Sequence, residues 1–170
     1  NLPNGPEAIP PKFSGFDKDN LSFETINKQV DNLDVSVGKD QAVFYSGRGA
    51  RDAAENFANK NNLTTLEQTA GGKTLDDLKL YKGTVPDIDD VKADGLWNNI
   101  SSNFANQAKG KVTAIVNNPD PTRIFLSKEL PALLKNPNVT EINIRSASGK
   151  SVVIPKGTSI NDALEMIKGF

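Results

Sequence analysis

The sequence contains neither cysteine nor histidine in its 170 residues. Without cysteine there is no disulfide, no thiol nucleophile and no thiolate metal site. Without histidine the chain lacks the side chain best suited to proton transfer near neutral pH, which excludes Ser-His catalysis, Cys-His catalysis and most zinc sites. Any chemistry must therefore rest on carboxylates, hydroxyls, Arg, Lys and aromatic rings, and we expect no metal and no cofactor.

The chain also lacks an excess of charge of one sign and lacks long apolar runs. Its 20 basic residues nearly balance its 21 acidic residues, and the net charge is −1. A nucleic-acid binder usually presents a basic face, because neutralised phosphates supply most of its affinity. No apolar run approaches the length of a membrane span, and no signal peptide opens the chain. We therefore expect no nucleic-acid partner and no stable membrane insertion.

Two parts of the chain differ in composition. Residues 1–20 are rich in Pro, Gly, Asn and charged residues, which is typical of a linker or an N-terminal arm. Residues 21–170 are long enough for one sizeable core, so we expect a single domain there. The start at Asn1 rather than at Met leads us to expect a fragment of a longer polypeptide.

Apolar periodicity predicts the elements of this domain. Helical spacing occurs at 21–33 with Asn20 or Ser22 as the cap, at 50–61, and at 87–108, where Gly95 is a candidate break between two helices. A helix with a Ser cap is predicted at 159–168, and a connection broken by Pro131 at 129–137. Apolar or β-branched runs predict strands at 42–45, 112–116, 139–144 and 152–154. This pattern favours an α/β domain, with a helical N-terminal part and a small, mainly parallel sheet flanked by helices.

The segment TLEQTAGGKTLDDL, residues 65–78, has the most informative spacing. It places Glu67 nine residues before Asp76 and Asp77, with two glycines between them. Glycines allow a chain to bend, so we expect these acids to meet in one pocket. The two aspartates taken alone have a second explanation, in which Thr74 caps a helix and both acids stabilise its first turn.

Three further segments carry candidate site residues. WNNISSNFA places Trp97 and Ser101 four residues apart, on one face of a helix. RIFLSKEL follows a predicted strand and contains Ser127 and Glu129. The first strand ends in FYSGRG, whose Gly-rich turn before a helix suits an anion. That turn contains Tyr45, Ser46 and Arg48.

Together these segments resemble the ADP-ribosyl cyclase / NAD glycohydrolase family over about residues 43–144. The family signature TLE-x-T-x-x-G-x-x-x-D-D-L is met at every fixed position, and its W-x-x-x-S-x-x-F-A pattern and R/K-I-F step follow. The resemblance implies an ADP-ribosyl cyclase-like fold. It also implies an NAD(P) glycohydrolase, which cleaves the nicotinamide–ribose bond of NAD or NADP as substrate and releases nicotinamide and ADP-ribose.

The resemblance implies a role for each acidic candidate. Cleavage of this bond needs a stabilised ribosyl cation resembling an oxocarbenium ion, and a nearby carboxylate provides that stabilisation. Glu129 would be this catalytic carboxylate, with Asp120 and Glu141 as the alternatives. Glu67 and Asp76 would contact the amide of nicotinamide.

The remaining candidates would bind other parts of the substrate. Trp97 would flank the nicotinamide ribose, and Ser101 would contact phosphate or ribose. Tyr45 stands where the family has a stacking Trp. The other substrate-binding candidates are Ser46, Arg48 and Ser127, and Arg51 competes with Arg48 for the phosphates.

The absence of cysteine sets this chain apart from the disulfide-rich animal enzymes of the family. It resembles the C-terminal toxin modules of bacterial polymorphic and contact-dependent inhibition systems, which cross a membrane and act in reducing cytosol. This implies a domain delivered by a secreted or cell-surface toxin into the cytoplasm of a target bacterium, and a cognate immunity protein. The alternatives are an ADP-ribosyltransferase toxin and a non-catalytic binding module on the same scaffold, while the missing histidines disfavour a ribonuclease.

Overall fold

The computed structural model describes Phe13 and residues 15–170. The expectation of an arm at residues 1–20 therefore falls mostly outside the described residues. Within that segment, Phe13 and Phe16 pack against the main core. None of the described helices is long and apolar enough to cross a membrane.

A five-stranded sheet forms the centre of the domain. Its strands are β1 (Ala42–Ser46), β2 (Thr64–Thr65), β3 (Gly110–Val116), β4 (Val139–Arg145) and β5 (Ser151–Pro155). The order across the sheet is β2-β1-β3-β4-β5, with β4 and β5 antiparallel and the other neighbours parallel. The predicted α/β domain with a small, mainly parallel sheet is therefore confirmed. The two-residue β2 was not predicted, because so short a strand leaves no periodic signal.

Six α-helices of the described residues surround the sheet. They are α1 (Phe23–Gln29), α2 (Ala50–Asn61), α3 (Ala70–Asp76), α4 (Asp90–Gln107), α5 (Leu130–Lys135) and α6 (Ile160–Met166). Four of them, α1, α3, α4 and α6, begin at a side-chain N-cap. The hydroxyls of Ser22 and Ser159 accept hydrogen bonds from the first turns of α1 and α6, as the sequence predicts. Gly95 does not split α4. It is exposed, and the helix is held by its buried face, which includes Leu96 and Ile100.

The two faces of the sheet carry separate apolar clusters. The larger core contains Phe44, whose ring lies 4.8 Å from that of Phe104 on α4 and 6.2 Å from that of Phe125. The opposite face is covered by α2, which buries the small residues Ala50, Ala54 and Ala58 against Val43 and Ile115. Small side chains allow the helix to lie close to the sheet, so the end of β1 is held tightly on both faces.

The segment predicted as a Pro-broken connection is helical. A π-helical turn at Phe125–Glu129 leads directly into α5, and the Leu130 N–H donates to the carbonyl of Phe125. Pro131 lies near the start of α5, directly after this π-helical turn. The expected break at Pro131 is therefore wrong, because α5 runs across this residue. π-helical turns often occur at functional sites, and this one buries Glu129.

Candidate active site

A cavity of about 260 Å³ lies at the carboxyl end of β1, where the adjacent strands β2 and β3 also end. Open α/β sheets usually bind ligands at this edge. The lining comes from β1, from the segments after β2 and β3, and from α2, α3 and α4. The residues involved are Val43, Phe44, Tyr45, Arg51, Leu66, Glu67, Asp76, Tyr81, Trp97, Ser101, Phe104, Ile124 and Glu129.

Tyr45 and Glu67 meet because β1 and β2 are neighbouring parallel strands. Tyr45 is near the end of β1, and Glu67 lies in the 3₁₀ turn that directly follows β2. The Tyr45 hydroxyl donates a hydrogen bond to Oε2 of Glu67 at 2.5 Å. Oε1 of Glu67 is buried and has no hydrogen-bond partner among the described residues. Burial raises the pKa of Glu67, opposed by the hydrogen bond from Tyr45. Burial, followed by the charge of Glu67, also raises the pKa of Tyr45.

Glu129 is the most deeply buried carboxylate of the cavity. It ends the π-helical turn, and only 7% of its surface is exposed. Its carboxylate makes no hydrogen bond or ion pair within the described part of the chain, and burial raises its pKa well above the ordinary value, with a further contribution from the charge of Glu67. Two buried acids with raised pKa values therefore share one cavity, which suits a ligand with positive charge.

Arg51 and Asp76 form an ion pair in the cavity wall. Nη2 of Arg51 lies 2.9 Å from Oδ2 of Asp76, and Nη1 lies 3.4 Å from Oδ1. Nε of the same guanidinium contacts Glu55 at 3.2 Å. The hydrogen bond to Asp76 is the largest cause that raises the pKa of Arg51. Both oxygens of Asp76 are thus engaged by Arg51.

The two glycines of the segment 65–78 allow close packing. The prediction that they let the chain bend is wrong. Gly71 and Gly72 lie inside α3 and are buried. A Cβ on Gly72 would lie 1.8 Å from the carbonyl oxygen of Leu66, and one on Gly71 would lie 2.7 Å from the backbone nitrogen of Asp34. This close approach seats α3 against the turn that contains Glu67.

The helix cap proposed at Thr74 is also wrong. The hydroxyl of Thr69 accepts the hydrogen bond from the Gly72 N–H at 2.9 Å, so Thr69 caps α3. Asp76 is consequently the last residue of the helix, where the dipole disfavours an acid. The first-turn explanation for the aspartates therefore fails, and the ion pair with Arg51 compensates Asp76 instead.

Helix α4 forms the opposite wall. Trp97 and Ser101, one turn apart, both line the cavity, together with Phe104. Trp97 is partly buried against the main core, and 4% of Ser101 is exposed. The wall therefore offers a flat ring and a hydroxyl to one ligand.

A groove of about 610 Å³ adjoins the cavity and shares Tyr45, Tyr81 and Ile124 with it. The Tyr81 hydroxyl donates to Oδ1 of Asp94 at 2.5 Å, although 51% of the residue is exposed. Burial of the phenol is the largest cause that raises the pKa of Tyr81. Sequence reasoning missed Tyr81, since no motif surrounds it and its aromatic character was the only signal.

No protein-family model matches the chain, and no curated protein matches it. Solved structures do. Aplysia cyclase, complexed with its substrate NGD and its product cGDPR, superposes with a TM-score of 0.59 and 24% identity, over 92% of this chain and 70% of the cyclase. The fold is that of the ADP-ribosyl cyclases. CD38, studied as a covalent enzyme–substrate complex, gives a TM-score of 0.58 and 22% identity, over 93% and 72% of the two chains. Porcine CD38, complexed with a covalent intermediate, gives 0.56 and 22%, over 93% and 74%.

Six of the nine predicted site residues line the cavity of this cyclase fold. They are Tyr45, Glu67, Asp76, Trp97, Ser101 and Glu129. Ser46 lines the adjoining groove. The alternatives to Glu129 lie outside the cavity lining. Asp120 is exposed and accepts hydrogen bonds from Thr122, and Glu141 lies on β4.

Two predicted residues lie away from the cavity. Arg48 is exposed, and its closest described polar contact is made by its backbone carbonyl, 3.5 Å from the Asn117 side chain. Ser127 is exposed, and its hydroxyl donates to the carbonyl of Arg123 at 2.7 Å. Arg51 lines the cavity in place of Arg48. Within residues 15–170, no group of three or more acidic side chains is placed to hold a metal ion.

Proposed function

We propose that this chain is an NAD(P) glycohydrolase that cleaves the nicotinamide–ribose bond and releases nicotinamide and ADP-ribose. The observation that supports it most is the shared cavity of Glu67, Trp97 and Glu129, which are far apart in the sequence. Glu129 is buried there, and no hydrogen bond from the described residues reaches its carboxylate. A carboxylate in that state is unfavourable unless a positive ligand faces it.

The chemistry of the bond fits such a cavity. Nicotinamide leaves with the electron pair of the broken bond, which neutralises its positive ring, so no acid is needed. The ribosyl carbon becomes positively charged, and an ionised carboxylate beside it lowers the energy of that state. Water then adds to this carbon and loses a proton to solvent. In this scheme Glu129 faces the cation, and Trp97 provides a ring face for the nicotinamide ribose.

The solved structures support a dinucleotide substrate. Aplysia cyclase of the same fold was solved with its substrate NGD and its product cGDPR. In our chain the groove next to the cavity would hold the part of NAD or NADP beyond the nicotinamide ribose, and Ser46 lies in that groove.

The biological setting is a further part of the proposal. A cysteine-free domain retains its structure in a reducing cytosol, since no disulfide has to survive there. We infer a toxin domain that a larger secreted or cell-surface protein delivers into a target bacterium, where it depletes NAD. An immunity protein would then protect the producing cell.

The proposal predicts that the purified protein consumes NAD and yields nicotinamide and ADP-ribose. Glu129→Gln should lower kcat by about 100-fold or more, since removing one preorganised group that stabilises transition-state charge typically costs about 10²–10³ in kcat. Chromatography of the products after incubation with NAD measures both effects.

Glu141→Gln is the matched control, because the same substitution is made outside the cavity. It should leave the rate unchanged, and circular dichroism should show all three proteins folded. Transfer of label from NAD to a protein would favour the ADP-ribosyltransferase alternative. Tight NAD binding without any turnover would favour the binding module. A folded Glu129→Gln with full activity would contradict the role of Glu129.

A further inference from the structure

Among the described side chains, the hydroxyl of Tyr45 is the one hydrogen-bond donor to the carboxylate of Glu67, and the backbone N–H of Glu67 itself also lowers the pKa of that carboxyl. Arg51 is the nearby cation, but its guanidinium nitrogens contact Asp76 and Glu55. Tyr45 is therefore the one side chain from another element that holds the Glu67 carboxylate by a hydrogen bond. The two oxygens of this hydrogen bond lie 2.5 Å apart.

The hydrogen bond engages only one oxygen of Glu67. Oε2 accepts from Tyr45, while Oε1 is buried and has no partner in the part of the chain that the structure describes, and Glu67 lines the cavity. A buried acceptor without a partner costs free energy, and a ligand N–H or O–H placed there would recover it. The protein thus binds Oε2 of Glu67, and Oε1 can accept a hydrogen bond from a ligand.

We propose that Tyr45 is a positioning residue, which holds Glu67 so that Oε1 accepts a hydrogen bond from the amide N–H of the leaving group. It thereby selects substrates that carry a carboxamide. This inference rests on the proposed function, because the amide is that of nicotinamide. It also gives a reason for a Tyr where the resembling family has Trp, since the phenol supplies a donor at this point of the cavity.

A comparison of two substrates distinguishes a role of Tyr45 in positioning Glu67 from a general loss of activity. NAD carries the amide, whereas its 3-acetylpyridine analogue has a methyl ketone there and lacks the N–H donor. A site that uses a buried acceptor discriminates strongly against a ligand without the matching donor. We expect the wild-type protein to prefer NAD in kcat/KM, and Tyr45→Phe to reduce that preference by about tenfold, the value of one hydrogen bond to a charged group.

A double-mutant cycle tests whether Tyr45 acts through Glu67. Glu67→Ala should reduce the preference for NAD, and the double variant Tyr45→Phe/Glu67→Ala should reduce it no further, because both changes remove the same interaction. The inference would be overturned if Tyr45→Phe lowered kcat/KM equally for both substrates. It would also be overturned if the two single substitutions reduced the preference for NAD additively in the double variant. Should Tyr45→Phe not fold, Tyr45→Trp removes the phenol while keeping the aromatic bulk and has the same two outcomes.

The result also separates this inference from the function on which it rests. If the wild-type protein consumes neither dinucleotide, the proposed function fails and the inference fails with it. If the wild-type protein consumes NAD, but Tyr45→Phe keeps the full preference for NAD, only the role of Tyr45 is overturned.

Discussion

Glu129 is placed at a cost to stability. Its carboxylate is buried, receives no hydrogen bond from the described residues and lies near a second acid, Glu67. A fold selected for stability alone would place an apolar residue there, since unpaired buried charge is unfavourable. Binding and catalytic sites often retain such residues at the expense of stability.

This cost predicts how stability depends on pH. The folded state raises the pKa of Glu129 above its ordinary value of 4.5, so the folded protein holds this proton more tightly than the unfolded chain. Ionisation then lowers the free energy of unfolding as pH rises from about 4.5 through the folded pKa. Glu129→Gln has no proton to lose, so it should be more stable than wild type near pH 7. We expect a gain of about 0.5–2 kcal/mol in the free energy of unfolding, the usual size for a single stabilising substitution.

Urea unfolding at a series of pH values measures this difference. The stability gap between Glu129→Gln and wild type should be small near pH 4 and should widen as pH rises. A stability difference that stays constant with pH would show that folding does not raise the pKa of Glu129.

At the level of residues, sequence spacing does not determine whether Arg48 or Arg51 lines the cavity. Both follow the first strand in a glycine-rich turn. Gly47 and Gly49 adopt positive φ values of 103° and 72°, and α2 begins directly afterwards at Ala50. Arg51 therefore lies in the first turn of the helix and points to Asp76, whereas Arg48 lies in the turn and is exposed. Backbone angles decide this, and the sequence pattern does not contain them.

At the level of elements, the seating of α3 against the Leu66–Gln68 turn determines where Glu67 lies. We predict that Gly72→Ala lowers the free energy of unfolding by about 1–3 kcal/mol, the usual cost of overpacking. Its Cβ would overlap a backbone carbonyl, which has little freedom to move. Thermal or urea unfolding measures the effect, and NAD turnover should fall as well, because the turn carrying Glu67 must shift.

Gly95→Ala is the control for a glycine inside a helix. Nothing lies within 4 Å of a Cβ at Gly95, so alanine there should raise stability by up to about 1 kcal/mol through helix propensity alone. A Gly72→Ala variant as stable as Gly95→Ala would contradict the close packing of α3.

Periodic elements were predictable and irregular ones were not. The boundaries of α2 match the expected 50–61, because its apolar residues recur at helical spacing. The π-helical turn before α5 and the two-residue β2 have no such periodicity. Proline favours a break in a sequence pattern, but α5 continues across Pro131.

For the whole molecule, the order of the strands creates the site. Because β1 lies between β2 and β3, the residues that end or follow these three strands converge at one edge. Tyr45, Glu67 and Glu129 reach the cavity in this way, and α4 adds Trp97. Periodicity alone does not determine strand order. The resemblance to the family predicted that these residues meet in one cavity. That prediction came from the spacing of the motifs, which helix and strand periodicity does not account for.

The central claim is that the cavity of Glu67, Trp97 and Glu129 binds the nicotinamide ribose of NAD for cleavage. A crystal structure of Glu129→Gln with NAD tests it most directly, since this variant should bind NAD and turn it over slowly. We predict that the nicotinamide amide lies at Oε1 of Glu67, that the ribose lies beside Trp97 and that its anomeric carbon faces residue 129. NAD bound with its nicotinamide ribose outside this cavity would contradict the account.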